Sequence, residues 1–143
     1  MNIKVLVPTG ALGITYCKKA LERGLKEKPD IIVVDGGSTD SGPAYLGKGK
    51  SKYSRSSTKS EWKTLMVARE KLKIPLLIGS AGTCGTDKTV DWFLEITKEL
   101  AKELNQNIKI TLLKCSQSKK NINKAFLSKN LSPLNNAPKI SSK

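Results

Sequence analysis

Apolar residues gather along the chain in four short runs, with amphipathic stretches between them. Ile3-Lys4-Val5-Leu6-Val7 is rich in β-branched residues and stops at Pro8. Ile31-Ile32-Val33-Val34 follows Pro29-Asp30 and stops at Asp35-Gly36-Gly37. Pro75-Leu76-Leu77-Ile78 stops at Gly79, and Ile108-Lys109-Ile110-Thr111-Leu112-Leu113 stops near Cys115. Short runs bounded by turn residues predict strands. The second and third are continuous rather than alternating, as in strands buried on both faces.

The intervening stretches repeat at helical spacing. From Ile14 to Lys26, Cys17, Leu21 and Leu25 share one side, and Lys18, Lys19 and Glu22 the other. From Lys59 to Lys73 the stripe is Trp62, Leu65, Met66 and Leu72, preceded by Thr58 and Glu61 at capping-box spacing. From Asp87 to Leu104, Val90, Phe93, Leu94, Thr97, Leu100, Ala101 and Leu104 form the cleanest stripe, with Ile96 at its flank. A shorter helix is predicted over Lys119 to Leu127. Residues 1–130 therefore read as one α/β ligand-binding domain, and residues 131–143, with Pro133, Pro138 and several Asn and Ser, as a flexible tail.

Strand and helix alternate in order. That pattern predicts an α/β fold: an open, mainly parallel sheet of about four strands with helices on both faces, Rossmann-like. Right-handed crossovers then bring every strand-to-helix loop to one edge, where such sheets bind ligands.

Those loops are unusual as a set. Ten of the eleven glycines lie in Gly10–Gly13, Gly36–Gly49 and Gly79–Gly85. Glycine lets backbone approach a ligand closely, hydroxyls add donors, and helix N-termini favour negative charge. The expected ligand is a small anion. Its candidate contacts are Thr9, Gly10, Gly36, Gly37, Ser38, Thr39, Gly42, Tyr45, Ser80, Gly82, Thr83 and Asp87. Asp35 ends an apolar strand, so its carboxylate is expected in the crevice. Asp35 and Asp40 are the candidate catalytic acid–base pair and the candidate ligands for a Mg²⁺ ion. The plainer alternatives are turn formation for Asp40 and helix capping for Asp87. The long stretch after Asp35, with Tyr45, Tyr53, Arg55 and Lys48, Lys50 and Lys52, could close over an anion as a lid.

Known nucleotide motifs fail on inspection. Gly79-x-x-Gly82-x-x-Gly85 is not GxGxxG, and Gly49-Lys50-Ser51 has Ala44 where a P-loop needs glycine. Cys84 lies ahead of a helix N-terminus, where a thiolate is favoured, but the chain has no histidine to activate it. Cys17 and Cys115 read as core residues. The three cysteines are far apart and form no CxxC, which argues against a zinc site.

The length of 143 residues fits one domain. No apolar run approaches the roughly 18 residues of a membrane span, so no membrane association is expected. Met-Asn-Ile-Lys leads directly into a strand without a signal-peptide pattern, and the expected location is cytoplasmic. The formal net charge is +14, but 26 basic residues include only three arginines. Arginine is the bidentate reader of bases and phosphates, so specific nucleic-acid recognition is not expected, although weak adhesion is.

Val7-Pro8-Thr9-Gly10, then Asp35-Gly36-Gly37-Ser38-Thr39-Asp40-Ser41-Gly42-Pro43-Ala44-Tyr45-Leu46-Gly47, then Gly79-Ser80-Ala81-Gly82, resemble the N-terminal region of the acyclic terpene utilisation protein family. The resemblance covers residues 3 to 130. Members of that family are typically several times longer, and Cys84 is not part of their pattern. The resemblance implies a role in catabolism of branched acyclic terpenoids through CoA-linked substrates. By that resemblance the chain reads as the N-terminal portion alone: a split subunit whose partner chain supplies the C-terminal region, a truncated reading frame or a stand-alone relative.

Three functions follow as expectations. The first is an enzyme or enzyme subunit binding a carboxylate or acyl-CoA-like ligand. The second is a non-catalytic ligand-binding or assembly module, with a partner chain or as a homo-oligomer. The third is a basic nucleic-acid-binding protein.

Overall fold

The computed structural model describes residues 2–37 and 43–133. Three strands, β1 (Val5–Leu6), β2 (Ile31–Gly37) and β3 (Leu76–Thr83), pair in parallel in the order β1-β2-β3. Val5 lies beside Ile31 and Leu6 beside Ile32. Ile32 lies beside Leu76, and the register runs on to Asp35 beside Gly79. Helix α1 (Lys18–Lys26) connects β1 to β2, and α2 (Pro43–Lys48) and α3 (Arg55–Leu72) connect β2 to β3. Helices α4 (Asp87–Glu103) and α5 (Lys119–Leu127) follow β3. This is an open parallel α/β sheet flanked by helices, Rossmann-like in its winding, with three strands instead of about four.

The fourth predicted strand joins no sheet among the described residues. Ile110, Leu112 and Leu113 are instead exposed. Ser116 and Asp87 exchange hydrogen bonds of 3.0 and 3.1 Å, and Lys114 pairs with Asp91 at 2.7 Å. These contacts tie the segment to α4 rather than to a strand.

One core joins the elements. Val34 of β2, Leu12, Leu21 of α1, Trp62, Leu65 and Met66 of α3, and Phe93, Ile96 and Leu100 of α4 form a single buried cluster. Burying a side chain of this size contributes about 1.5–3 kcal/mol. Burial alternates along β2 despite its continuous apolar run: Ile32 and Val34 are buried, while Ile31 and Val33 are half-buried. The edges of α3 and α4 carry ion pairs from Arg55 and Lys59 to Glu99, and from Lys59 and Lys63 to Glu103.

Helix starts depart from the sequence expectations for local reasons. Thr15 has φ 135° and Cys17 is extended, so α1 begins only at Lys18 and Cys17 is exposed rather than core. Cys115, also expected in the core, lies in the exposed stretch after α4. The cap of α3 is Ser54, whose hydroxyl accepts from the Ser57 N–H at 3.1 Å. Thr58 therefore falls inside the helix, buried, and Glu61 is released to act elsewhere. Thr86, not Asp87, caps α4 by accepting from the Thr89 N–H.

Candidate functional site

Parallel pairing puts the carboxyl ends of β1, β2 and β3 at one rim, where the first loop meets the end of β2 and the end of β2 meets β3. The Leu12 N–H of the first loop donates to the Asp35 carbonyl at 2.9 Å. Gly37 lies beside Thr83 after an irregularity in the register. A Cβ on Gly37 would fall 2.3 Å from the Thr83 carbonyl oxygen and 2.6 Å from the Ser80 Cβ. Only glycine permits that approach. Gly36 would likewise meet Ile78 at 2.8 Å, and Gly82, with φ +68°, would meet Thr89 at 2.7 Å. At these three positions protein atoms already fill the space that glycine opens.

Gly10 and Gly79 differ. A Cβ at either would meet nothing within 4 Å, and both residues are exposed. Asp35, the register neighbour of Gly79, is exposed as well. One of its carboxylate oxygens accepts from the Gly37 N–H at 2.8 Å. The other has no partner among the described residues. Thr9 folds its hydroxyl onto Ala11, donating to the carbonyl and accepting from the N–H. Asp35, Gly10 and Gly79 thus form the open part of the rim.

The other side of the rim is closed by residues 49–54. The Ser51 and Thr83 hydroxyls are 3.1 Å apart, and the Lys52 N–H donates to the Thr83 hydroxyl at 3.0 Å. The Tyr53 side chain covers Gly13 so closely that a Cβ there would lie 2.6 Å away. Thr83 is 1% exposed, so its hydroxyl serves this closure. Tyr45 is half-buried on α2, and Arg55 is turned to Glu99. Asp87 gives a carboxylate oxygen to the Ser116 N–H. Ser38, Thr39, Asp40 and Gly42 lie outside the described residues, so the proposed Asp35–Asp40 pair does too. No group of three or more His, Cys, Asp or Glu side chains gathers among the described residues.

Two further features lie near the rim, and only the second was signalled as a site by the sequence, through the place of Cys84 ahead of a helix. The first is a cleft of about 320 Å³ between the first loop and α3, lined in part by Tyr16, Lys18, Ser57, Glu61 and Thr64. Glu61 accepts from the Gly13 N–H at 2.7 Å, and the Ser57 hydroxyl donates to the Gly13 carbonyl at 2.7 Å. Burial raises the Tyr16 phenol above its ordinary range, and the Glu61 charge adds to that against a hydrogen bond with Thr64. The only sequence signal was Glu61, which capping-box spacing explained away. The second is the setting of Cys84. Partial burial pushes its thiol up, but hydrogen bonds from the Thr86 backbone and from the Thr89 and Thr86 hydroxyls outweigh it, and the net shift is downward.

Compared with known proteins, the chain matches no family model, no curated protein and no solved structure. Among the described residues, no helix is long and apolar enough to cross a membrane.

Proposed function

We propose that this domain binds a small anionic ligand, a carboxylate or an acyl-CoA-like thioester, on the open side of the carboxyl rim. The reading extends to an enzyme, or enzyme subunit, of branched acyl catabolism. It is supported chiefly by one juxtaposition: the exposed Asp35 carboxylate stands beside bare backbone at Gly79, where no described residue fills the space. Backbone without Cβ gives a ligand oxygen close access to peptide groups. Asp35 would act as the acid–base group or, through the oxygen that no described residue bonds, as a single carboxylate ligand to Mg²⁺. Motif resemblance to the acyclic terpene utilisation family supports the substrate class.

The test is a thermal-shift screen of acyl-CoAs, short carboxylates, sugar phosphates and nucleotides, with and without Mg²⁺. A ligand that binds the native state raises its apparent stability by mass action. The expected result is a shift with CoA thioesters or carboxylates that Gly79→Val suppresses. Asp35→Asn should remove any Mg²⁺-dependent part. No shift with any carboxylate or thioester rejects the proposal.

A second reading has its own observation. Ile3, Val5, Val7 and Leu77 are 72%, 55%, 61% and 52% exposed, although they lie on or beside sheet strands. Apolar strand residues left in water favour an assembly module whose sheet is covered by another chain.

A further inference from the structure

The segment after α4 has the composition of a strand and the backbone of an unpaired one. Ile108, Ile110 and Thr111 are β-branched, and the run was read from the sequence as β. From Asn107 to Lys114, no backbone N–H or carbonyl bonds to another described residue. Both ends are nevertheless fixed. Gln106 donates to the Ala101 carbonyl at 2.9 Å at the end of α4, and Ser116 is bonded to Asp87 at its start. The 17 residues of α4 span about 25 Å at 1.5 Å each. Ten residues return over that length, at roughly 2.5 Å per residue, more extended than a helix though short of a full strand.

The side chains indicate what could pair with it. Ile108 packs on the core, while Ile110, Leu112 and Leu113 are 40%, 42% and 81% exposed. Along the chain after α4 the charge has one sign, although α4 itself contributes Asp87 and Asp91 beside the segment's far end. Between Leu104 and Pro133 there are six lysines and no acidic residue. Lys114 is neutralised by Asp91, and Lys109 has no partner among the described residues. Strand addition draws affinity from main-chain hydrogen bonds and specificity from alternate side chains. Opposite charges directly across a strand pair stabilise it, and like charges do the reverse. A second copy would bring another +14 chain to the same place.

We propose that Ile108–Leu113 is a docking strand that pairs, backbone to backbone, with an extended segment of a partner protein bearing alternating apolar and acidic side chains. The tethers at Gln106 and Ser116 hold the segment open beforehand, which lowers the ordering cost of binding. The proposal does not depend on a ligand at the carboxyl rim.

The experiment uses the full chain and a synthetic peptide of alternating valine and glutamate, with a proline-interrupted peptide of equal charge as control. Amide hydrogen exchange at residues 108–113 is followed with and without peptide. The expected result is protection of those amides by the alternating peptide alone, weakening as salt is raised. Leu112→Pro removes a donor that bonds to no described residue. It should leave the melting temperature in place and weaken the peptide at least tenfold. If that variant does not fold, Lys109→Glu supplies the test by reversing the preference towards a valine–lysine peptide. Several results overturn the proposal. These are equal binding of the control peptide, binding without protection at 108–113, and protection already present in the free chain. Protection rising with protein concentration, which means a second copy, overturns it too. So does protection by anionic vesicles or nucleic acid but not by the peptide.

Discussion

The indole Nε1 of Trp62 donates a hydrogen bond of 3.1 Å to the hydroxyl of Thr97, wholly inside the core. It is a buried polar fastening between α3 and α4, inside the ion pairs at their edges. The Trp62 ring also meets Phe93 edge-on, with centroids 4.8 Å apart. Thr97 passes its own hydroxyl hydrogen to the Phe93 carbonyl at 2.9 Å, so both polar groups are satisfied without water.

Thr97→Val keeps the shape and strands the indole N–H. A buried donor left unpaired costs about 1–3 kcal/mol, and that loss is expected in urea denaturation. Trp62→Phe removes the donor. The double variant should therefore lose less than the two single losses combined, by about 1 kcal/mol. Strict additivity would show that the bond does not hold the helices together.

Gly82 and Gly10 should separate sharply under the same substitution. Gly82→Ala must carry a side chain at φ +68° into Thr89, and a loss of at least about 2 kcal/mol is expected. Gly10→Ala meets open space and should change stability by no more than about 0.5 kcal/mol. Denaturation curves of the two variants decide the matter. Equal losses would mean that the close contact between β3 and α4 is not as described.

Glu99 gives the fold an acid-sensitive contact. Hydrogen bonds from Lys59 and then Arg55 hold its carboxyl down to about 2, against an ordinary 4.5. A folded-state value below the unfolded one stabilises the protein above the unfolded value. That contribution fades as pH falls from about 4.5 towards 2. Glu99→Gln should thus lower the urea midpoint at neutral pH, with the gap to the parent closing through that acid window. A gap independent of pH would remove Glu99 from the ion network.

Much of this was legible in the sequence, and the failures have physical causes. The stripe from Val90 to Leu100 foretold α4 because one apolar side met one core, and Ile96 proved as buried as the residues at its centre. Helix α5 occupies the expected residues Lys119–Leu127 yet buries none of them. Periodicity therefore identified a helix without saying whether anything lay against it. The capping-box reading of Thr58 and Glu61 failed because Ser54 caps α3 one turn earlier. Spacing within a helix cannot reveal that Glu61 reaches Gly13 in a different loop. Ile108–Leu113 has strand composition, but composition does not say whether a strand edge lies within reach, and none of its backbone groups pairs with a described residue. The glycine-rich loops were rightly expected to converge. Which glycines face open space, as Gly10 does, and which are packed, as Gly37 is, emerges only from atoms distant in sequence.

Ser80 and Thr83 both sit at positive φ, 46° and 80°, on either side of Gly82. Left-handed backbone costs an L-residue about 1–2 kcal/mol. Engineering that raised β propensity here, with valine or isoleucine, would therefore run against the fold. At Ser80, asparagine and glycine, which look like strand breakers on paper, are the replacements the backbone is shaped to accept, whereas at Thr83 either would give up the hydroxyl that meets Ser51 and Lys52.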